Sequence, residues 1–308
     1  MNNNTIVRIA NRGDIEGLVD LQKRVYPQYH RDAPFFVWQC FENINQSILV
    51  IAQQNASIVG MLGIQKIKTT NGLYGGQLSW IVVAENIRRS GLFAKMSSLA
   101  LESVPNLDFI FIFANRGAIL PCEKTLGMKF IGNLSQLISK NKFSDSCGES
   151  SLKPINSRTK FNNFPCSETT MTFLRTERYR QWRYANSAVH RYYKLSIPSG
   201  EYAIIKTLND DQSSQIIGDI VDFECNILDI CQLRKLFYAA SFALKRIGAT
   251  IVTTWAIPGS KLRYLLNELE FCETDHYSSF GIKLFNENNS YLNNFNTWHL
   301  VQSDASNY

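Results

Sequence analysis

The sequence predicts two consecutive α/β domains, each a mixed central sheet flanked by helices, and three observations carry that expectation. Apolar runs with strand character alternate with helix-compatible segments along the chain. Landmarks of the first half recur in the second at nearly constant separation: Trp38 and Trp182 lie 144 residues apart, Gly76 and Gly218 142, and Met128 and Phe271 143. Between the copies, residues 140–164 are rich in Asn, Ser, Lys and Pro with little apolar periodicity, as in a linker or exposed crossover. The expected division is a first domain over 1–139, a connection over 140–165 and a second domain over 166–308, and a length of 308 residues suits two ordinary domains.

In the first copy, Ile6 to Ala10 reads as a strand, followed by a helix from about Leu18 to Val25. Phe36-Val37-Trp38 precedes a strand over 47–52, and 76–83 forms another, leading to a helix over 91–103. A buried-strand pattern follows at 109–113, then a short helix that closes on Leu126-Gly127-Met128. In the second copy, Arg180-Gln181-Trp182 precedes a strand over 193–197 and another over 218–223. A helix over about 231–247, a strand over 251–255 and a helix closing on Leu269-Glu270-Phe271 complete it.

A hydrophobic content of 45% gives each half a core and excludes wholesale disorder. No apolar run approaches the roughly 18 residues a membrane helix needs, and the polar opening Met1-Asn2-Asn3-Asn4 gives no secretory leader, so a cytoplasmic protein without membrane contact is expected. The seven cysteines (Cys40, Cys122, Cys147, Cys166, Cys225, Cys231, Cys272) form no C-x-x-C pair and fit reduced thiols. His30, His190, His276 and His299 are far apart, so no metal is expected. The net charge of +6 also suits a phosphate-rich small ligand and alone decides nothing; it is the dispersal of the basic residues, without a basic stripe or nucleic-acid module, that speaks against nucleic acid.

The sharpest local signal is Ile81 to Lys95. An apolar strand (Ile81, Val82, Val83) ends, a turn carries Arg88, Arg89 and Ser90, and a helix begins at Gly91, Leu92 and Phe93. The first N–H groups of a helix lack intrahelical partners and sit at the positive end of its dipole, so they hold phosphate where no bulky side chain intervenes. An ordinary strand–turn–helix junction has the same outline, and the surrounding sequence must separate the two.

Here the chain resembles the GNAT superfamily of N-acyltransferases. Its phosphate motif, [Q/R]-x-x-G-x-[G/A], is met by Arg88-Arg89-Ser90-Gly91-Leu92 in its first four places, while Phe93 departs from the last, as in an R-x-x-G-[L/I]-[F/Y] variant of some branches. The opening strand and helix, Asn115 after the 109–113 strand, and Lys124 to Met128 are similar to the family as well. The resemblance covers residues 6–134. It implies acyl-CoA as co-substrate, held by Ile81, Val82, Val83, Arg88, Arg89, Ser90, Gly91, Leu92, Phe93 and Asn115. The second copy has no glycine between Asp219 and Ile247, so one CoA site per chain is expected.

The resemblance places the acceptor near Tyr26, Tyr29, Trp38, Ser79 and Trp80; Trp and Tyr at helical spacing are ordinarily core residues, and both readings stay open. In the second half Arg183, one of a basic group with Arg178, Arg180, Arg191 and Lys194, is either a partner for the diphosphate of a sugar nucleotide or a solvated helix charge. A backbone N–H near Val82–Val83 would support the developing oxyanion. The strand that carries a catalytic Glu in many relatives holds Gln77, Ser79 and Trp80 instead. Glu123, four residues before Gly127, is either an acid/base or a solvated helix residue, and His30 is the other proton acceptor the sequence offers. Trp182-Arg183-Tyr184 and the ending Trp298 to Asp304 are similar to tandem enzymes that acylate nucleotide-linked amino sugars, commonly dTDP-linked, for bacterial surface polysaccharides. A cell-wall aminoacyl transferase, an aminoglycoside-type acetyltransferase and a retired GNAT binding module are the alternatives.

Overall fold

Residues 5–28, 31–141, 143, 150–162, 170–210 and 214–305 are described by the structure, a computed structural model. They pack as two units: Met1–Ile131 with Phe280–Asn293, and Gly132–Ser279 with Asn294–Tyr308.

The first unit opens with β1 (Ile6–Ile9), a 3₁₀ turn and α1 (Ile15–Val25). Arg8 pairs with Asp14 at 2.6 Å and fixes the entry to α1, whose Leu18 and Leu21 are fully buried one turn apart. Asp32 caps α2 (Ala33–Phe36) through Phe35 N at 3.0 Å, and α2 runs into a π-turn over Val37–Phe41. β2 (Ser47–Gln54) and β3 (Ser57–Lys68) form a hairpin closed by Asn55 and Ala56, both at positive φ, the backbone that two-residue hairpin loops require. β4 (Tyr74–Val83), α3 (Leu92–Ser103), β5 (Phe109–Ala114) and α4 (Arg116–Leu126) follow. The strands lie in the order β1-β2-β3-β4-β5, antiparallel except for the parallel pair β4–β5.

The second unit takes β6 (Lys129–Ser139) from residue 132 onward and then β7 (Ser151–Pro154). Thr176 caps α5 (Glu177–Arg180), which runs into a π-turn over Gln181–Ala185. β8 (Tyr193–Ser196), β9 (Tyr202–Asp210), β10 (Gln215–Glu224), α6 (Ile230–Arg246), β11 (Ile251–Thr254), α7 (Lys261–Glu268) and β12 (Cys272–Leu284) complete the chain's regular elements. The order is β6-β11-β10-β9-β8-β7, with β10–β11 parallel and the other ladders antiparallel. The caps Asp32 and Thr176, the short helices and the π-turns recur with bounds offset by 144 residues.

Two features depart from a reading in strict chain order. The stretch expected as a linker carries β7, which pairs with β8; Leu152 packs on the apolar core while Ser151 and Lys153 face water, an alternation too short to read. The end of β12 belongs to the first unit, where the Phe280 ring lies 6.0 Å from Phe111 and 5.2 Å from Phe113.

Within the second unit the segment from Trp298 to Ala305 is buried almost throughout, and Met171 is tied to it by two backbone hydrogen bonds of 2.7 Å, Met171 N donating to Thr297 O just before it and His299 N to Met171 O. Arg175 donates to both Asp304 oxygens at 2.6 and 2.8 Å. Burial disfavours the Arg175 charge, but Asp304 and Asp222 outweigh it and raise its pKa. Burial and then Arg175 push the partly exposed His299 imidazole from its ordinary 6.5 down to about 4. The folded state therefore favours neutral His299, while the unfolded chain protonates first as pH falls through about 6.5. Stability from this group is complete above that value and is lost towards pH 4. The loss is at most about 3 kcal/mol, lessened by the solvent-facing part of the ring. Denaturant titrations at pH 7.5 and 4.5 should show native protein losing more stability than His299→Gln, and equal losses would remove His299 from the account. Among the described residues, no helix is long and apolar enough to cross a membrane.

Candidate functional site

The parallel ladder between β4 and β5 has three pairs, Gly75 with Phe109, Gly76 with Ile110 and Gln77 with Phe111, yet β4 runs on to Val83 and β5 to Ala114. Beyond Gln77 the strands part and leave main-chain groups without a strand partner on that side. A β-bulge lies in the separating part: Met61 opposes Val82 and Gly63 opposes Ser79, so Trp80 and Ile81 together face Leu62. Trp80 takes φ +50, a left-handed conformation that costs an aromatic residue about 1–2 kcal/mol. Strain of this kind collects at functional sites. Gly63 makes room for it: a Cβ there would stand 2.2 Å from the Trp80 ring.

The end of β4 aims its backbone into the opening. Ala84 N donates to Val59 O on the β3 side at 2.8 Å, so the adjacent Val83 N–H and C=O point the other way. Arg88 Nε donates to that Val83 carbonyl at 3.2 Å, and its guanidinium also meets Glu85 at 3.4 Å. Arg88 thus braces the loop while half its side chain stays exposed. Ser90 Oγ donates to Ile87 O at 2.7 Å, and Arg89, at φ +66, is exposed.

Gly91 is the N-cap of α3 at φ +79, ψ 4, without a side chain to satisfy the first helical N–H groups. The first bond into the helix runs from Lys95 N to Gly91 O at 3.2 Å. The N–H groups of Leu92, Phe93 and Ala94 therefore face outward at the positive end of a 12-residue helix. Among the described residues, nothing beyond Gly91's own chain neighbours lies within 4 Å of where its Cβ would be. An exposed N-terminus with two arginines beside it fits a pyrophosphate.

The remaining predicted residues divide. Ile81, Val82, Val83, Leu92 and Phe93 lie at the parting strands and the α3 N-terminus. Asn115 caps α4, accepting from Ala118 N at 3.1 Å, which occupies its side-chain oxygen. Glu123 is exposed on α4. Beside it Cys122 is buried, and burial followed by the Glu123 charge pushes its thiol up to about 12, which excludes a ready nucleophile. Tyr26 ends α1 and is exposed, Trp38 is buried in the π-turn, and Tyr29 and His30 lie outside the described residues. Arg183 lies in the second unit, buried, donating to Ala305 O at 2.9 Å; a diphosphate-binding role does not suit that environment. Arg180 is also buried, paired with Glu224. Among the described residues no group of His, Cys, Asp and Glu is placed to hold a metal ion.

Sequence reasoning missed Gln39. It is 1% exposed in the π-turn, and among the described residues neither its Nε2 nor its Oε1 has a hydrogen-bond partner. Ser79 Oγ and Trp80 Nε1, in residues 5% and 9% exposed, have none either. Buried polar atoms left unpaired cost about 1–3 kcal/mol each, so four of them, two in the π-turn and two at the bulge, need a reason. The signal was a lone amide inside an aromatic run, 144 residues before Arg183.

No protein-family model and no curated protein sequence matches the chain. Solved structures do. The fold is similar to that of a GCN5-related N-acetyltransferase from Anabaena variabilis, with TM-score 0.64 and 12% identity over 92% of this chain and 73% of that one. It is also similar to Saccharomyces cerevisiae N-myristoyltransferase with bound myristoyl-CoA, with TM-score 0.59 and 10% identity over 92% of this chain and 79% of that one. A third likeness is to a GCN5-related glucosamine N-acetyltransferase region of a fungal multi-domain β-N-acetylglucosaminidase: TM-score 0.61, 13% identity, 92% of this chain and 38% of that one. The α/β fold expected from the sequence, with mixed sheets flanked by helices, is the GNAT fold.

Proposed function

We propose that the chain is an acyl-CoA-dependent N-acyltransferase whose first unit carries the chemistry and whose two units descend from a tandem duplication. The carrying observation is the parallel pair β4–β5 that parts after Gln77, with the Val83 main chain turned into the gap and a glycine-capped helix at its end. In this reading the pyrophosphate rests on the N–H groups of Leu92, Phe93 and Ala94, with Arg88 and Arg89 alongside. The pantetheine arm runs along the open edge of β4 and brings the thioester carbonyl to Val83 N–H. An unprotonated amine attacks that carbon, negative charge grows on the oxygen facing the N–H, and the C–S bond breaks as the amine gives up a proton and CoA leaves as its thiol. Glu123 and His30 are the candidates for moving that proton. The duplication draws support from the 144-residue offset of the capped helices and π-turns.

The acceptor in this reading is an amino sugar, carried on a nucleotide as the C-terminal Trp298 to Asp304 resemblance suggests. The glucosamine N-acetyltransferase among the similar folds favours the sugar, and the transferred group is acetyl or a small hydroxyacyl. Calorimetric titration with acetyl-CoA tests the reading. Native protein should bind, and Arg88→Ala should weaken binding roughly 5- to 150-fold, the worth of about 1–3 kcal/mol in charge-assisted hydrogen bonds. Absence of heat from native protein, or an unchanged Kd in the variant, counts against it.

A further inference from the structure

Register relations place three neutral polar residues and a glycine on one face of the first unit's sheet. Gln65 pairs with Gln77 and Gly63 with Ser79, two residues apart on each strand, so all four positions share a face. Asn43 links that face to the π-turn: its Nδ2 donates to Gln39 O at 3.1 Å and to Gln65 Oε1 at 3.0 Å. Ser79 Oγ and the Trp80 ring both lie over Gly63, and Trp80 meets Phe35 of α2 edge-on at 6.4 Å. The buried groups beneath α2 and the π-turn are therefore amides, a hydroxyl and an indole N–H, at positions named without a single charge.

The second unit has the same frame with different contents. Lys206 pairs with Asp219 in register, as Gln65 does with Gln77, and both Gln77 and Asp219 are the last parallel partners of their strands. Arg183 stands 144 residues after Gln39, at the third position of its π-turn. There the charges are answered from within: Lys206 Nζ lies 3.6 Å from Asp219, Thr253 donates to Asp219, Tyr184 donates to Asp222 at 2.8 Å, and Arg183 donates to Ala305 O. Gln302 of the C-terminal segment donates to Thr253 at 3.2 Å. The chain's C-terminal segment reaches into that polar interior, although Gln302 Oε1 there has no hydrogen-bond partner among the described residues, as side-chain polar atoms of Gln39, Ser79 and Trp80 have none in the first unit.

We infer that Gln39, Ser79 and Trp80 form a hydrogen-bonding floor for the uncharged, hydroxyl-bearing ring of the acceptor. This rests on the acyltransferase reading and sharpens its substrate class. An amide offers two donors and an acceptor, a serine hydroxyl one donor and two acceptor sites, and an indole one donor. Together they match sugar hydroxyls, which both give and take hydrogen bonds, and they offer no countercharge to a peptide carboxylate or a diphosphate. Those charged parts of a substrate would lie outside this floor.

The test is binding of N-acetylglucosamine, followed by ligand-observed NMR in the presence of CoA, with glycylglycine as the charged comparison. Native protein should bind the sugar in preference to the dipeptide. Gln39→Leu and Trp80→Phe, which keeps the ring and deletes the N–H, should each weaken sugar binding tenfold or more while changing the Kd for CoA less than twofold. Native protein that does not bind the sugar overturns the inference. So does unchanged sugar affinity in both variants, which would mean that ordered water alone serves these groups. CoA affinity of native protein is read separately: its absence sinks the acyltransferase reading, and its presence with no sugar discrimination sinks only this inference.

Discussion

A chain ended after Ser139 is expected not to fold, although it contains every element that the sequence assigns to the first domain. The first unit includes Phe280–Asn293. Phe280 and Ile282 are fully buried, Phe280 against Phe111 and Phe113, and Phe285 N donates to Asp108 O at 2.9 Å. Removing a buried Phe and a buried Ile side chain costs about 3–5 and 2–5 kcal/mol, a sum comparable with the roughly 5–15 kcal/mol that stabilises a whole domain. The same segment can be returned. Phe130 lies against Gly281, where a Cβ would be 2.6 Å from its ring, so residue 131 and residue 280 are near enough for a short Gly/Ser link. Residues 1–131 joined in this way to 280–293 are expected to unfold cooperatively and to bind CoA. Thermal unfolding followed by circular dichroism distinguishes the two chains. A cooperative transition in residues 1–139 alone, near that of the joined chain, would show that the β12 segment is dispensable.

Legibility in the sequence followed the range of the interaction. α3 was expected over 91–103 and runs Leu92–Ser103; α6, expected over about 231–247, runs Ile230–Arg246. Both rest on periodicity and end signals within a few residues. The positive φ at Gly91 was legible for the same reason, because glycine at the junction of strand and helix states its own conformational need. The exchange of a strand between units was not legible. β6 and β12 have ordinary strand patterns, and nothing local says on which side of which neighbour each will pair. The bulge at Trp80 was hidden likewise, since a tryptophan at φ +50 contradicts its own propensity and is held there by Gly63 seventeen residues earlier. A basic residue in an aromatic run suggests an anion site, whereas the buried Arg183 guanidinium donates to the Ala305 carbonyl, a partner more than a hundred residues away that no local pattern announces.

Gly91→Val is expected to abolish CoA binding at concentrations that saturate the native protein, with only a modest loss of stability. Two effects must be separated. The left-handed backbone at φ +79 costs a side chain about 1–2 kcal/mol, and more for a β-branched one, which lowers stability without involving any ligand. The space effect is different: beyond its chain neighbours, a Cβ at this position meets no atom of the described residues within 4 Å, so the branched side chain intrudes on what approaches the helix end from outside. Losing two hydrogen bonds from helical N–H groups to a phosphate, at about 1.5–3 kcal/mol each, corresponds to 100-fold or more in Kd. Gly91→Asn resolves the two effects, because Asn tolerates the left-handed conformation yet still fills the approach. If space is decisive, Asn should leave the melting temperature near native and still weaken CoA by about tenfold or more. If strain is decisive, Asn should restore binding together with stability. CoA affinity left intact by both Val and Asn would mean that the phosphates do not rest on the α3 N-terminus, and the site would have to be sought elsewhere along the opening between β4 and β5.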